Sequence, residues 1–188
     1  MRIVILLSLC VWTVHSLAAK IEHVTVPDSL TVGATRLVIN GTALKAKLGK
    51  INKVYAGALY TVVPNNDPAA LIASPQLKVL DLVFMNAMDR ETLQETWKAE
   101  FEKACTGDAC ANNEFQLKAL QEALVDMRPS DRIRLTFEKD GTHIDVKAKK
   151  SKNAQIIGED FRKAVLAMFL GPNADPKFRD GLLGSATP

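Results

Sequence analysis

Apolar positions fall in short alternating runs broken by turn signals, and the period turns helical in the middle and near the end of the chain. KIEHVTV (residues 20–26) alternates and predicts a strand, turned by Pro27-Asp28-Ser29. TRLVI (35–39) predicts a second strand, ending at Asn40-Gly41. Residues 50–63 predict a third, with KVYAGALY (53–60) at its centre. Strand alternation puts Val54, Ala56, Ala58 and Tyr60 on one face and Tyr55, Gly57, Leu59 and Thr61 on the other. Neither face is polar, so this strand is expected to be buried on both sides. The gap of small residues at Gly57 and Ala58 has two readings. Either a helix packs closely over it, or it is a pocket into which Tyr55 points a hydroxyl.

Further along, Asp67 and Pro68 are an N-cap and a first helical residue for a short helix to Ala73, and LKVLDLVFMN (77–86) predicts another strand. Asp89 caps a helix over 90–104, whose Leu93, Trp97, Phe101 and Ala104 share one stripe. A second helix, about 113–127, aligns Leu117, Leu120, Leu124 and Met127. RIRLTFEKDGTHIDVKAK (132–149) is a hairpin about Asp140-Gly141, with one buried and one wet face. A last strand near Ala154–Ile157 leads into EDFRKAVLAMFLG, helical over about 159–170, stopped by Gly171-Pro172 and apolar nearly all round. DPKFRDGLLG adds a short final helix. Antiparallel hairpins with helices gathered on one face make an α+β arrangement.

Composition narrows this picture. With 188 residues, 24% charged and 47% hydrophobic, the chain fits one ordinary globular domain, and a formal charge of +3 does not suggest a nucleic-acid binder. The first segment stands apart: Arg2, the apolar run Ile3–Val14 and small residues at Ser16 and Ala18 read as a signal peptide cleaved after Ala18. That run is shorter than the ~20 apolar residues of a transmembrane helix. Export makes Cys105 and Cys110, an isolated pair with four residues between them, most simply a disulfide. Their spacing is neither CxxC nor a zinc pattern, and so small a ring contributes about 2 kcal/mol. No metal or cofactor is expected: His23 and His143 are too scattered for zinc, and neither a GxSxG elbow nor a phosphate loop is present. Lys147, Lys149, Lys150 and Lys152 read as a solvated strand end. Asn40-Gly41-Thr42 is formally a glycosylation sequon.

What remains is lipophilic. The apolar last long helix, the strand of small residues and Tyr55 together can surround an apolar cavity, with Lys45 and Lys47 bringing a cation to the phenol. A cation and a hydroxyl at such a mouth suit a carboxylate-headed ligand.

NGTALKAKLGKINKVYAGALY, the helix DRETLQETWKAEFEKA, the hairpin and AVLAMFLGPNADPKFRDGLLG, in that order, resemble the chalcone isomerase-like family, most closely its bacterial exported branch, over roughly residues 24–184. The resemblance implies an open-faced β-sandwich, a large antiparallel sheet packed against a layer of helices with a cleft between them. Residues 1–18 would be the signal peptide and 19–188 a single domain of this kind. Plant members close a flavanone ring in the cleft, and other members bind fatty acids without catalysis. The isomerases place a threonine where this chain has Tyr55; the fatty-acid-binding members have tyrosine there, as here. The family arginine falls at Lys45, which keeps the charge but loses the bidentate fork. The tyrosine and asparagine of the first long helix fall at Thr92 and Ala99, and the last-helix threonine at Met168. The resemblance therefore implies binding rather than isomerisation.

The expected ligand site is an apolar lining of Val54, Leu59, Val165, Met168 and Phe169, with Lys45 and Tyr55 at its mouth and a fatty acid or similar apolar acid as ligand. Two alternatives stand beside it: a cell-envelope interaction or assembly module whose cleft is filled by its own side chains, and an isomerase or lyase of unrecognised chemistry. The bacterial resemblance implies a periplasmic location, with secretion beyond the cell as the alternative.

Overall fold

The computed structural model describes residues 18–49, 51–105 and 112–185. The signal-peptide segment to Leu17 and Cys110 lie outside the described residues. Strands β1 (Ala18–Ile21) and β2 (Val24–Pro27) form a small two-stranded sheet. Seven further strands form one antiparallel sheet in plain meander order: β3 (Ser29–Val32), β4 (Thr35–Leu48), β5 (Ile51–Thr61), β6 (Lys78–Phe84), β7 (Arg132–Glu138), β8 (Gly141–Lys147) and β9 (Lys152–Ile157). The helices are α1 (Pro68–Ala73), α2 (Arg90–Ala104), α3 (Glu114–Ala123), α4 (Glu159–Leu170) and α5 (Pro176–Leu182). No helix among the described residues is long and apolar enough to cross a membrane.

Most predicted elements are present, and four differ. KIEHVTV is a hairpin rather than one strand: Glu22, at φ 56°, and His23 turn the chain between β1 and β2. Asn40-Gly41 does not end a strand; β4 runs on to Leu48, with a register shift between Ile39 and Gly41. The second helix stops at Ala123, after which Leu124 is extended and Met127 bridges to Met88. Val54 departs from the face that alternation assigns it. Lys53, at φ 51°, adds a residue to β5 opposite β4, and past this bulge Val54 packs with Tyr55 and the helices.

Strand β5 is buried on both sides, as its sequence requires. On the helix side lies the main core, where Leu59, Leu80, Leu82, Ile133, Leu135, Phe137, Ile144 and Val146 meet α2, α3 and α4. On the other side, Ala56, Ala58, Tyr60, Val79 and Val83 pack with Val24 and Val26 of the β1–β2 hairpin. Small residues let that hairpin approach, and the Tyr60 hydroxyl donates to the Pro27 carbonyl at 2.8 Å. Asp81 is fully buried on β6 and accepts from Arg132 and Arg134 of β7 at 3.0 and 3.1 Å. One acidic residue thus clamps two strands on the face away from the helices.

Helix α5 is seated by backbone contact. A Cβ on Gly181 would come 2.6 Å from the Thr42 carbonyl oxygen, and one on Gly41 would run into the Gly181 and Leu182 carbonyls. Asn40 donates to the Leu182 carbonyl at 2.9 Å and accepts from the Asn65 N–H at 2.7 Å. The sequon asparagine is therefore a structural clasp that holds α5 on β4.

Helix α4 is buried along most of its length, and it carries a guanidinium inward. Arg162, with no exposed surface, donates to the Ser74 carbonyl at 3.0 Å beside Lys78, which donates to the Ser74 and Gln76 carbonyls at 2.8 Å each. Burial, and then the neighbouring Arg162 charge, bring Lys78 from 10.5 down to about 8. Between about pH 8 and 10 the unfolded chain keeps a proton that the folded chain has released, so stability should rise with pH across that window. Tyr55, held above the ordinary tyrosine range, opposes the rise only at higher pH. Urea midpoints at stepped pH should show this rise in the native protein and lose it in Lys78→Met.

Candidate functional site

Lys45 and Tyr55 are direct cross-strand partners on β4 and β5. The register brings the backbone of Lys45 beside that of Tyr55; the side chain of Lys47 lies outside the described set. Lys45 is 8% exposed, and its ammonium is held by two carboxylates: Glu100 of α2 at 3.1 Å and Asp175 at 3.5 Å. Asp175 also caps α5, accepting from the Lys177 and Phe178 N–H groups. One carboxylate thus ties the start of α5 to the cation on the sheet.

These groups border a cavity of about 300 Å³ at the mouth between α2, α4 and the sheet. Its polar wall is Lys45, Glu100, Lys103, Asn173 and Asp175, and its apolar wall is Ala104, Ala167, Met168, Ala174 and Pro176. That volume is at the low end of small-molecule sites, which run from about 300 to 1,000 Å³.

Behind the mouth the cleft is filled. The Phe178 ring lies over Gly57, where a Cβ would meet it at 2.5 Å. Tyr55 packs edge-on to Phe178 with centroids 5.5 Å apart and against Phe84 at 5.4 Å. Phe169 stands between Trp97 at 5.9 Å and Phe178 at 6.4 Å. The gap of small residues in β5 is thus a packing device on both faces. Ala56 and Ala58 admit the hairpin, and Gly57 admits Phe178.

The predicted site residues separate accordingly. Lys45 and Met168 stand at the cavity wall. Tyr55 is 3% exposed, and burial, then the charges of Glu100 and Asp175, hold its hydroxyl well above the usual phenol range. It stays protonated at any physiological pH, so it can donate a hydrogen bond but cannot serve as a base. Val54, Leu59, Val165 and Phe169 are in the packed core, each 2% exposed or less, and their contacts are with other side chains of the protein. Thr92 donates its hydroxyl to the Asp89 cap at 2.8 Å. Cys105 is buried at the end of α2.

Sequence reasoning missed Glu100 and Asp175. Glu100 lies between Trp97 and Phe101 on the edge of the apolar stripe of α2, where a charge needs a partner. Asp175-Pro176 repeats the Asp67-Pro68 capping signal, which marks a helix start but carries no trace of the partner, Lys45, more than a hundred residues earlier.

The comparisons with known proteins agree with this architecture. A family model described as chalcone isomerase-like matches residues 18–184. The chain belongs to the chalcone isomerase-like family. No curated protein matches it closely enough to add to this. Among solved structures, it is similar to a fatty-acid binding protein of Arabidopsis thaliana, with a TM-score of 0.67 and 14% identity, over 89% of this chain and 96% of that one. Identity that low speaks for the fold: a curled antiparallel sheet with helices, as the resemblance in the sequence implies.

Proposed function

We propose that this member of the chalcone isomerase-like family is an exported, non-catalytic protein that binds an apolar acid at the Lys45 cavity. The observation that carries the reading is a nearly buried ammonium at the wall of a cavity whose other side is Met168, Ala167 and Ala104. An acid headgroup would take the place of one of the two carboxylates on Lys45, with its chain along the apolar wall. Fatty-acid binding by the similar Arabidopsis protein supports this choice of ligand. The cavity size favours a short or medium chain. Catalysis is disfavoured by the apolar Met168 at one position of the isomerase machinery and by a Tyr55 that holds its proton.

A second reading is an envelope interaction module with a self-filled cleft. The Phe178 ring over Gly57 favours it, because the space that a long chain would need is occupied. Export and a Cys105–Cys110 disulfide belong to both readings, and the bacterial exported branch of the family and a periplasmic location go with them.

Intact mass analysis of unreduced, alkylated protein taken from its own compartment, run under native conditions and then denaturing ones, tests all parts at once. The expected result is a chain lacking residues 1–18, no alkylated thiol, and an acid that leaves on denaturation. A full-length chain with all three thiols alkylated, Cys10 included, would remove export and the disulfide. A native mass equal to the bare chain would turn the function toward the module.

A further inference from the structure

Strand β9 ends the seven-stranded sheet, and no strand pairs with its outer edge among the described residues. The Gly158 N–H donates to the Asp140 carbonyl, which continues the β8–β9 register and fixes the alternation of the ladder. Even-numbered residues of β9 therefore bond inward to β8, and the N–H and C=O groups of Asn153, Gln155 and Ile157 point outward.

The two ends of this edge differ in chemistry. At its start, Lys147, Lys149, Lys150 and Lys152 are all exposed, and Lys149 and Lys150 make no ion pair among the described residues. At its finish, Ile157 is 60% exposed, one of the few large apolar side chains left in water. Ile157 stands on the face of β9 opposite its neighbour Ile156, which packs into the helix-side core. Beside Ile157 a cavity of about 290 Å³ opens along the hairpin tip, bounded by Glu138, His143 and Gln155.

We propose that the β9 edge is a docking strand for an extended segment of another protein, apolar at its N-terminal end and acidic at its C-terminal end. Adding such a segment antiparallel to β9 satisfies the outward backbone groups and sets its first residues on Ile157 and the adjoining cavity. Its carboxylates then meet the lysine turn. This is strand addition, in which the main chain gives affinity and alternate side chains give specificity. Charge decides between this occupant and a second copy of the chain. Antiparallel self-pairing would set Lys152 directly against Ile157 of the other copy, an ammonium against an apolar side chain. Edge lysines also discourage pairing of like with like.

The probe is a blocked peptide, Val-Thr-Val-Thr-Glu-Asp-Glu, with the same residues in reverse order as control. Amide exchange followed by NMR on the full mature chain should show Asn153, Gln155 and Ile157 slowed by the forward peptide, with a Kd below about 1 mM that weakens in salt. Gln155→Pro, tolerated on an edge strand but lacking the outward N–H, and Ile157→Asp, which leaves the backbone intact, should each weaken binding about tenfold. No slowing by the forward peptide overturns the proposal, and so does equal binding of the reversed one. A free protein that is already a dimer, dissociated by Gln155→Pro, would assign the edge to a second copy and overturn it too.

Discussion

Replacing Gly181 with valine should destabilise the protein by about 3 kcal/mol or more, because the added atoms meet backbone and the fixed Ala43 Cβ rather than a side chain that can turn aside. The Thr42 carbonyl oxygen at 2.6 Å and the Ala43 Cα at 3.1 Å belong to β4 where it is paired to Ala58 and Gly57 of β5, and neither can rotate away. Helix α5 must then lift, taking Phe178 off Gly57 and Asp175 off Lys45. For a chain of this size such a loss lowers Tm by roughly 6–12 °C. Gly33→Ala is the control. Gly33 has φ 57° with nothing within 4 Å of a Cβ, so only backbone strain of about 1–2 kcal/mol applies. Thermal melts of both variants check the prediction. Similar losses in the two would mean that α5 is not held by glycine contact.

The second large effect concerns binding. Met168, 4% exposed, forms the apolar wall opposite Lys45. Met168→Trp puts a larger rigid side chain into about 300 Å³ and should abolish acid binding while Lys45 keeps its charge. Phe178→Ala should act in the opposite sense. Removing a ring that is 2% exposed costs about 3–5 kcal/mol of stability, yet it empties the space over Gly57 and admits a longer chain. Stability and capacity are thus traded at one side chain, because the ring that fills the cleft is also what limits the ligand.

The fold was largely legible because its signals are local. Asp67, Asp89 and Asp140-Gly141 act within four residues of themselves, and the alternation in 132–148 needs only the pleat to express it. What was missed depends on partners far along the chain. Lys45 reads as a free cation until Glu100 and Asp175 arrive from two other elements. Asp81 reads as a break in an apolar strand until β7 brings two arginines across the ladder. Arg162 looks like the polar edge of a helix, but the carbonyls after α1 draw it inside. Gly57 showed that something approaches closely, and nothing near it in sequence says that the visitor is Phe178, more than a hundred residues later. The bulge at Lys53 is equally silent: a residue at positive φ without glycine shifts Val54 to the other face, which no period can foretell.

The most direct test of the binding account is calorimetric titration of straight-chain acids from butyrate to laurate. In the wild-type protein, affinity should climb about fourfold for each added CH₂, then stop rising before laurate, when the cavity is full. Phe178→Ala should extend the climb, and Met168→Trp should give no heat at any length. An absence of binding below about 1 mM for every acid would contradict the account, as would an affinity that Met168→Trp leaves unchanged.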